Sequence, residues 1–237
     1  MTDELGPEYG LMQCVFGPED LGYPCRRRRR YSFFWRKSRF TFHGCAEEFL
    51  EVFRASTELN GDVYFIAPPS VRRQAALKRA AKNGNHFTAE NAEFVKARDQ
   101  VSADGQRRLK AHMELMTKRC GLDGCYVFDN EHWPDFCTGG WQMPPLVTHG
   151  LIVSASRDET LLPIEHLAVQ GEPALAGLSN KFPCCFMPLA TKWSSPETEN
   201  KGALRMMAGN AMHTGALTAW MLYGLSNLEP VRSTFVM

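Results

Sequence analysis

Five consecutive arginines stand near the start of this 237-residue chain, at positions 26–30. They follow Gly22-Tyr23-Pro24-Cys25 and lead into the aromatic segment Tyr31–Trp35. An arginine side chain stays charged at physiological pH and presents several N–H donors in one plane, which suits it to phosphates and base edges. Taken alone, such a run also fits a nuclear-localisation signal or a general polyanion patch.

Two later segments carry polar residues between apolar ones. In the first, Leu162-Pro163-Ile164-Glu165 is followed by Gln170-Gly171, and proline at the start with glycine at the end predicts a short helix. The second is Ala208-Gly209-Asn210-Ala211-Met212, where Gly-Asn predicts a tight turn. A turn before a helix offers free backbone N–H groups to a carboxylate.

In their order and approximate spacing, these three segments resemble the C-terminal half of DNA (cytosine-5-) methyltransferases. The arginine segment is similar to the family's Gln-Arg-Arg-x-Arg motif, with Arg27 and Arg29 at motif arginines and Cys25 in place of the glutamine. The last segment resembles the family's Gly-Asn-Ala/Ser-Val. The middle segment resembles Leu-Thr-Pro-Arg-Glu…Gln-Gly-Phe-Pro and matches it at Pro163, Glu165, Gln170, Gly171 and Pro173.

The resemblance implies methyl transfer from S-adenosylmethionine to carbon 5 of a cytosine flipped out of duplex DNA. In that family a cysteine thiolate adds to the ring and makes carbon 5 nucleophilic. The resemblance implies that Arg29 reaches the flipped cytosine and its flanking phosphate, while Arg27 supports the catalytic loop and backbone. It also implies that Arg26 contacts DNA, and Cys25 lacks the donor and acceptor that glutamine would supply there.

The segment that resembles the family's cofactor-binding residues comprises Gly209, Asn210 and Ala211. It implies that these residues bind S-adenosylmethionine and that Asn210 makes a polar contact to its methionine end. The helix that follows is expected to pack beside the cofactor pocket. The Leu-Pro-x-Glu segment has a chiefly structural role in the family, where it organises the base of the recognition domain.

Three motifs of the family do not occur in the sequence: the Phe-x-Gly-x-Gly cofactor loop, the Pro-Cys-Gln nucleophile loop and the Glu-Asn-Val motif. Pro24-Cys25 and Pro183-Cys184 lack the following glutamine, and we expect neither to be the nucleophile. We therefore expect a fragment or one half of a split enzyme, inactive as a lone chain. Its expected partners are DNA and a separate chain carrying the N-terminal half.

The predicted fold class is α/β, or α+β when taken as a fragment. It comprises part of an S-adenosylmethionine-dependent methyltransferase sheet with an inserted target recognition domain. Residues 1–44 are assigned to the last strands of the catalytic sheet with the arginine motif, and residues 45–150 to the recognition region. Residues 151–237 return to the catalytic domain, with the Gly-Asn segment and a closing helix.

Local sequence patterns predict the individual elements. Runs of apolar and aromatic residues indicate strands, whereas longer segments with capping residues indicate helices. The predicted strands are Tyr9–Phe16, Arg28–Trp35, Val63–Ile66 and Leu146–Ala155. The predicted helices are Glu47–Leu59, Pro69 to Asn83 with Ser70 as cap, Thr88 to Gly121 interrupted near Asp104-Gly105, Pro163 to Gly171, Ser195 to Met207 before a break at Gly209, and Met212–Leu222 ending near Gly224.

Positive charge is concentrated between Val71 and Arg119, which contain 12 Lys or Arg against 5 Asp or Glu. The whole chain has a formal net charge of only +1, so this excess of 7 is local. It indicates a polyanion partner, although solvated helix faces are the alternative. Candidate phosphate contacts, whose affinity would fall with salt, are Arg72, Arg73, Lys78, Arg79, Arg107 and Arg108.

The cysteines of the chain indicate its cellular compartment and raise the question of a metal site. The chain has eight cysteines and an acidic, polar start in place of a signal peptide, so we expect a reduced, intracellular protein. The arginine run and the DNA substrate indicate the nucleus. Four residues have the types that bind zinc: Cys120, Cys125, His132 and Cys137. The spacing between the first two cysteines is longer than in usual zinc sites, so we favour the interpretation that these thiols only fill space.

A non-catalytic nucleic-acid-binding module, with or without such a zinc site, is therefore the alternative function. The hydrophobic content of 44% is that of a globular protein. No stretch of 18 apolar residues occurs in the sequence, and no membrane span is expected.

Overall fold

The computed structural model of the protein describes residues 6–88, 90–91, 95–120, 125–136, 139–172 and 201–231. This part of the chain is a mixed α and β structure of several helices and three small antiparallel sheets. The helices are α1 (Ala46–Phe53), α2 (Pro69–Lys82), α3 (Ala103–Cys120), α4 (Pro163–Val169), α5 (Lys201–Asn210) and α6 (Thr214–Ser226). The strands are β1 (Tyr9–Phe16), β2 (Arg29–Arg36), β3 (Phe40–Phe42), β4 (Val127–Asp129), β5 (Ile152–Ser154), β6 (Glu159–Thr160) and β7 (Leu228–Pro230).

The described chain divides into two compact units. The first unit comprises residues 6–23, 27–57 and 213–231, and the second comprises residues 24–26 and the described residues from 58 to 212. None of the helices in these ranges is both long enough and apolar enough to cross a membrane.

The arginine segment leads into the hairpin of the first unit. β1 and β2 pair antiparallel, with Phe16 opposite Arg29. Tyr31 and Phe33 are buried and the intervening Ser32 is exposed, as the period-two alternation of a strand requires. The predicted strand Tyr9–Phe16 is confirmed, and β2 lies one residue later than predicted.

Aromatic rings form the core of the first unit. Phe16 stacks on Tyr31 with 4.2 Å between ring centroids, and Trp220 of α6 meets Phe49 of α1 edge-on at 5.0 Å. Each such pair adds about 0.5–1.5 kcal/mol beyond its buried area. β3 pairs with β7, so early and late parts of the chain share a sheet in this unit.

The second unit contains the sheet β4-β5-β6, with β5 in the middle. Val127 and Ile152 are fully buried and belong to one apolar cluster with Leu161 and Leu204. α4 and α5 contact each other, and α2 contacts the 3-10 turn Ala97–Gln100. A second apolar cluster in this unit contains Met116 of α3 with Phe128 and Val153 of the sheet.

The predicted strand Val63–Ile66 is wrong, because the chain forms a 3-10 turn at Gly61–Tyr64. The Asn60 side chain accepts a hydrogen bond from the Asp62 N–H at 2.9 Å, which is the turn chemistry of asparagine. A Cβ atom at Gly61 would lie 2.8 Å from the backbone nitrogen of Met143, so the close approach requires glycine.

Two helix boundaries and one helix cap differ from the predictions. α1 ends at Phe53 rather than Leu59, since Arg54 is already extended. α2 begins at Pro69 as predicted, but its cap residue is Pro68 and no side-chain cap bond forms, so the Ser70 cap is wrong. α3 begins at Ala103 and continues past the predicted interruption; the Ser102 hydroxyl accepts the Gly105 N–H at 3.2 Å.

The predicted break at Gly209 is wrong, because α5 continues to Asn210. The Ala211 N–H donates to the Met207 carbonyl at 2.8 Å and so extends the helical hydrogen bonding. α6 likewise runs through Gly224 to Ser226. The predicted helix start at Ser195 lies outside the described residues.

The elements around the middle motif are shorter than predicted. The strand predicted over Leu146–Ala155 reduces to β5, and β4 was not anticipated. The helix predicted from Pro163 to Gly171 is confirmed as α4, with Gly171 at a φ of 81°, where glycine is favoured.

The two units also differ from the three predicted regions. Residues 45–57 join the early strands, because Phe49 of α1 packs in the aromatic core. The described residues from 151 to 212 join the second unit through β5, α4 and α5.

Candidate functional site

In the first unit, Tyr23, which precedes the arginine motif, contacts His213, which follows the Gly-Asn segment. Their rings lie 4.5 Å apart between centroids. A Cβ atom at Gly215 would clash with the Tyr23 hydroxyl oxygen, so glycine at the start of α6 lets the tyrosine approach. The contact therefore joins residues that flank two of the segments that carry the family resemblance, whereas Gly209 and Asn210 themselves belong to the second unit.

Arg27 and His213 are both buried, with 5% and 1% of their surfaces exposed. The Arg27 N–H donates to a Glu19 carboxylate oxygen at 3.1 Å, which fixes the backbone at the entry to β2. Burial, assisted by the nearby charge of Arg27, lowers the pKa of His213 to about 4. At neutral pH this imidazole is therefore uncharged.

The tautomer of His213 follows from its hydrogen bond. Nδ1 accepts the Ala216 N–H at 3.2 Å and caps α6, so the ring proton is assigned to Nε2. Nε2 is buried and has no hydrogen-bond partner within the described ranges. The site therefore holds one unused N–H donor close to the buried arginine.

Arg29 is exposed at the beginning of β2. Its Nη1 donates to the Arg28 carbonyl at 2.8 Å, and Arg28 itself lies 3.6 Å from an Asp20 carboxylate oxygen. No carboxylate of the described residues forms an ion pair with Arg29. Its guanidinium is thus accessible to an external anion, whereas Arg27 is an internal support.

Cys25, which stands where the family has glutamine, is a buried core residue of the second unit. Its thiol donates to the Val169 carbonyl at 3.6 Å, next to Gln170 at the end of α4. The Arg26 N–H donates to the Met143 carbonyl at 2.9 Å. Within the second unit, Cys25 and Arg26 are therefore held by the middle motif and by Met143.

Glu165 of the middle motif is fully buried and has three partners. Its oxygens accept the Ala67 N–H at 2.7 Å and the Leu162 N–H at 2.8 Å, and Arg72 donates to it from α2. Burial raises the pKa of Glu165, and the Arg72 charge with the two N–H donors opposes that shift. Because Arg72 is buried in this pair, it is removed from the set of phosphate contacts.

The remaining basic residues of the charged region separate into two groups. Arg73, Lys78 and Arg107 are exposed, although Arg107 pairs with Asp104 at 2.8 Å. Arg79 and Arg108 are partly buried and are engaged by hydrogen bonds within the protein. Those bonds run from Arg79 to the Thr160 hydroxyl at 2.7 Å, and from Arg108 to the Asn130 carbonyl at 2.6 Å and to Glu131 at 3.3 Å.

The Gly-Asn segment fits the expected cofactor only in part. A Cβ atom at Gly209 would lie 3.0 Å from the backbone nitrogen of Thr148, so packing explains this glycine. Asn210 is exposed at the C-terminal end of α5 and Ala211 follows it half-buried. Since Asn210 ends a helix, the expected turn of free N–H groups before a helix is not formed there. Of the three residues, Asn210 alone presents an exposed polar side chain.

The four residues of the zinc hypothesis are only partly described. Cys137 and the Cys120 side chain lie outside the described residues. Burial raises the pKa of Cys125 to about 11, and His132 Nδ1 lies 3.3 Å from an Asp129 oxygen. Within the described ranges, no group of three acidic, histidine or cysteine side chains is arranged to hold a metal ion.

Sequence reasoning missed Tyr23 and His213 as a contact pair. A histidine three residues before Ala216, at the start of an apolar helix, is a weak capping signal. Nothing local indicates that a tyrosine 190 positions earlier lies against it.

Comparison with known proteins adds no assignment to this geometry. No protein-family model matches the sequence, and a search of curated protein sequences finds no significant match.

Proposed function

We propose that this chain is the C-terminal part of a DNA cytosine-5 methyltransferase, which transfers a methyl group from S-adenosylmethionine to cytosine in DNA. The observation that carries the proposal is the Cys25–Val169 hydrogen bond, because it joins the arginine segment to the middle motif, two segments that only the family resemblance relates. The contact of Tyr23 with His213, which follows the Gly-Asn segment directly, adds support.

The two motif arginines have different roles, because Arg29 is exposed and Arg27 is buried. Arg29, exposed and without a carboxylate partner in the described structure, contacts the flipped cytosine and the flanking phosphate. Arg27 is buried and holds the strand entry against α6, so it positions Arg29 and the DNA backbone rather than touching the base. Arg26, Arg73 and Lys78 contribute phosphate contacts at the periphery.

The nucleophilic thiol comes from outside this chain. Cys25 is buried and its thiol is used in a hydrogen bond, which is unsuited to attack on a base. S-adenosylmethionine, when bound, supplies the electrophilic methyl group. Asn210 orients its methionine end, in a pocket shared with a chain that carries the glycine loop and the Pro-Cys-Gln loop.

A methyl-transfer assay tests this proposal. Purified chain is incubated with labelled S-adenosylmethionine and duplex DNA, alone and with a polypeptide that carries the N-terminal half of a cytosine-5 methyltransferase. The proposal expects no 5-methylcytosine from the chain alone and measurable product from the mixture. Product from the chain alone would refute the assignment of the thiol to another chain.

A nucleic-acid-binding module without catalysis is the second candidate. The exposed arginines at positions 28–30 with Arg73 and Lys78 favour it. Such a module, nuclear in location, would bind DNA or RNA with a steep salt dependence and would not bind S-adenosylmethionine. One zinc per chain by metal analysis would further indicate the Cys120, Cys125, His132 and Cys137 set.

A further inference from the structure

We propose that a basic cavity in the second unit binds a phosphorylated nucleoside, either free or as a unit of a nucleic-acid strand. The cavity has a volume of about 390 Å³, which is within the range of small-molecule sites. Its walls come from α2, α3 and α5 together with the ends of β4 and β5. None of Arg27, Arg29 and Asn210 lines it.

The lining of the cavity is strongly positive. Three helices contribute cationic side chains, and Glu131 is the single carboxylate among the lining residues. Arg108 is already paired with Asp104 and Glu131. An external anion would therefore meet chiefly the charges that lack a carboxylate partner among the described residues, those of Lys78 and Lys82. The five cations are Lys78, Arg79, Lys82, Arg108 and Arg205.

Lys78 and Lys82 are the cations best suited to an external phosphate. They are four residues apart on α2, so they lie on one face of the helix, where two like charges destabilise it slightly. Both are exposed and neither forms an ion pair with a carboxylate of the described residues. A diphosphate or two neighbouring backbone phosphates would relieve this repulsion.

Asn130 indicates that the ligand also carries hydrogen-bond donors. It is fully buried, lines the cavity, and donates from Nδ2 to the Gly105 carbonyl at 3.1 Å. Its Oδ1 atom is buried and accepts no hydrogen bond from the described residues. A buried acceptor without a donor is costly, and a ribose hydroxyl or a base amino group would satisfy it.

Polar residues around the cavity suit a nucleoside better than phosphate alone. Asn83, Gln100 and Ser102 line it beside the apolar Val101 and Leu151. The Gln100 amide is already hydrogen-bonded to Thr160 and Lys96. The Asn83 Oδ1 atom and the Ser102 O–H have no partner among the described residues and suit a base edge or a ribose, whereas the lysines recognise the phosphates.

Calorimetric titration of the full chain tests the inference, with ADP, pyrophosphate and a short duplex DNA as separate probes. The test variant combines Lys78→Gln and Lys82→Gln. The matched control combines Lys110→Gln and Lys118→Gln, which removes two exposed lysines of α3 that do not line the cavity. All four lysines are exposed, so both variants keep the fold, and thermal melting checks this.

The inference expects the test variant to bind at least about tenfold more weakly than the native chain and the control to bind normally. ADP binding with this pattern identifies a free nucleotide as the source, and DNA binding alone with this pattern identifies a strand. Absence of binding by every probe, or equal affinity of native and test variant, overturns the inference. Pyrophosphate binding as tight as ADP overturns the nucleoside part. Because no S-adenosylmethionine is present, none of these results depends on methyl transfer.

Discussion

Arg72 and Glu165 form a buried ion pair that connects α2 to α4. The Arg72 guanidinium also donates to the Thr160 carbonyl at 3.3 Å and lies 3.5 Å from a Glu159 oxygen. Glu165 accepts two backbone N–H groups besides. The matched glutamate of the middle motif therefore acts as a structural centre of the second unit.

Replacing Arg72 by methionine should lower the free energy of unfolding by about 3–5 kcal/mol, because it leaves the Glu165 carboxylate buried without its counter-charge. Urea denaturation monitored by circular dichroism measures this. Arg73→Met at the exposed neighbour is the control and should change stability by less than about 0.5 kcal/mol. Equal effects at the two positions would contradict the structural role of the pair.

The stability of the first unit should depend on pH through His213. Folding lowers the pKa of His213 from 6.5 to about 4, so the folded state favours the neutral ring. The stabilisation of the folded state by the neutral His213 ring is fully present above about pH 6.5. As the pH falls toward 4, up to about 3 kcal/mol of this stabilisation is lost.

His213→Asn removes the titration but keeps an acceptor that caps α6. Its unfolding free energy should therefore fall less steeply than that of the native chain between pH 6.5 and 4, as urea titrations at several pH values would report. Identical pH dependence of the two proteins would show that His213 is not held neutral by the fold.

Introducing at Cys25 the glutamine of the cytosine-5 methyltransferase motif should destabilise the protein rather than strengthen DNA binding. The site is 2% exposed, and the longer side chain overpacks it at a cost of about 1–3 kcal/mol. Denaturation midpoints and DNA titrations of Cys25→Gln and Cys25→Ala measure both effects. Tighter DNA binding by Cys25→Gln without loss of stability would instead place this position at the DNA surface.

The close approach of Tyr23 to Gly215 predicts an energetic coupling of about 1 kcal/mol between these positions. Gly215→Ala should destabilise the native chain, since its methyl group meets the tyrosine ring, and should be nearly neutral in a Tyr23→Ala background. A double-mutant cycle by thermal or urea unfolding gives the coupling. Additive effects of the two substitutions would mean that the ring and α6 do not meet in solution.

Local signals in the sequence predict β1, β2 and α4 well, because alternation, proline and glycine act within a few residues. The same signals fail at Gly209, where tertiary packing against Thr148 keeps the helix intact, and at Asn60, whose turn chemistry replaces a predicted strand. The partner of Glu165 lies 93 positions earlier in the sequence and has no local signature. Exposure likewise distinguishes Arg72 from Arg73, although the sequence presents them as equivalent cations.

The most direct measurement of the central claim is 5-methylcytosine formation by the chain complemented with a methyltransferase N-terminal half. Arg29→Ala is compared there with Arg36→Ala, an exposed arginine at the opposite end of the same strand. The account predicts that loss of Arg29 lowers the rate by at least about a hundredfold, as removal of a charge-stabilising contact does, and that Arg36→Ala leaves it unchanged. Equal rates for the two variants, or no product from any complemented mixture, would contradict it.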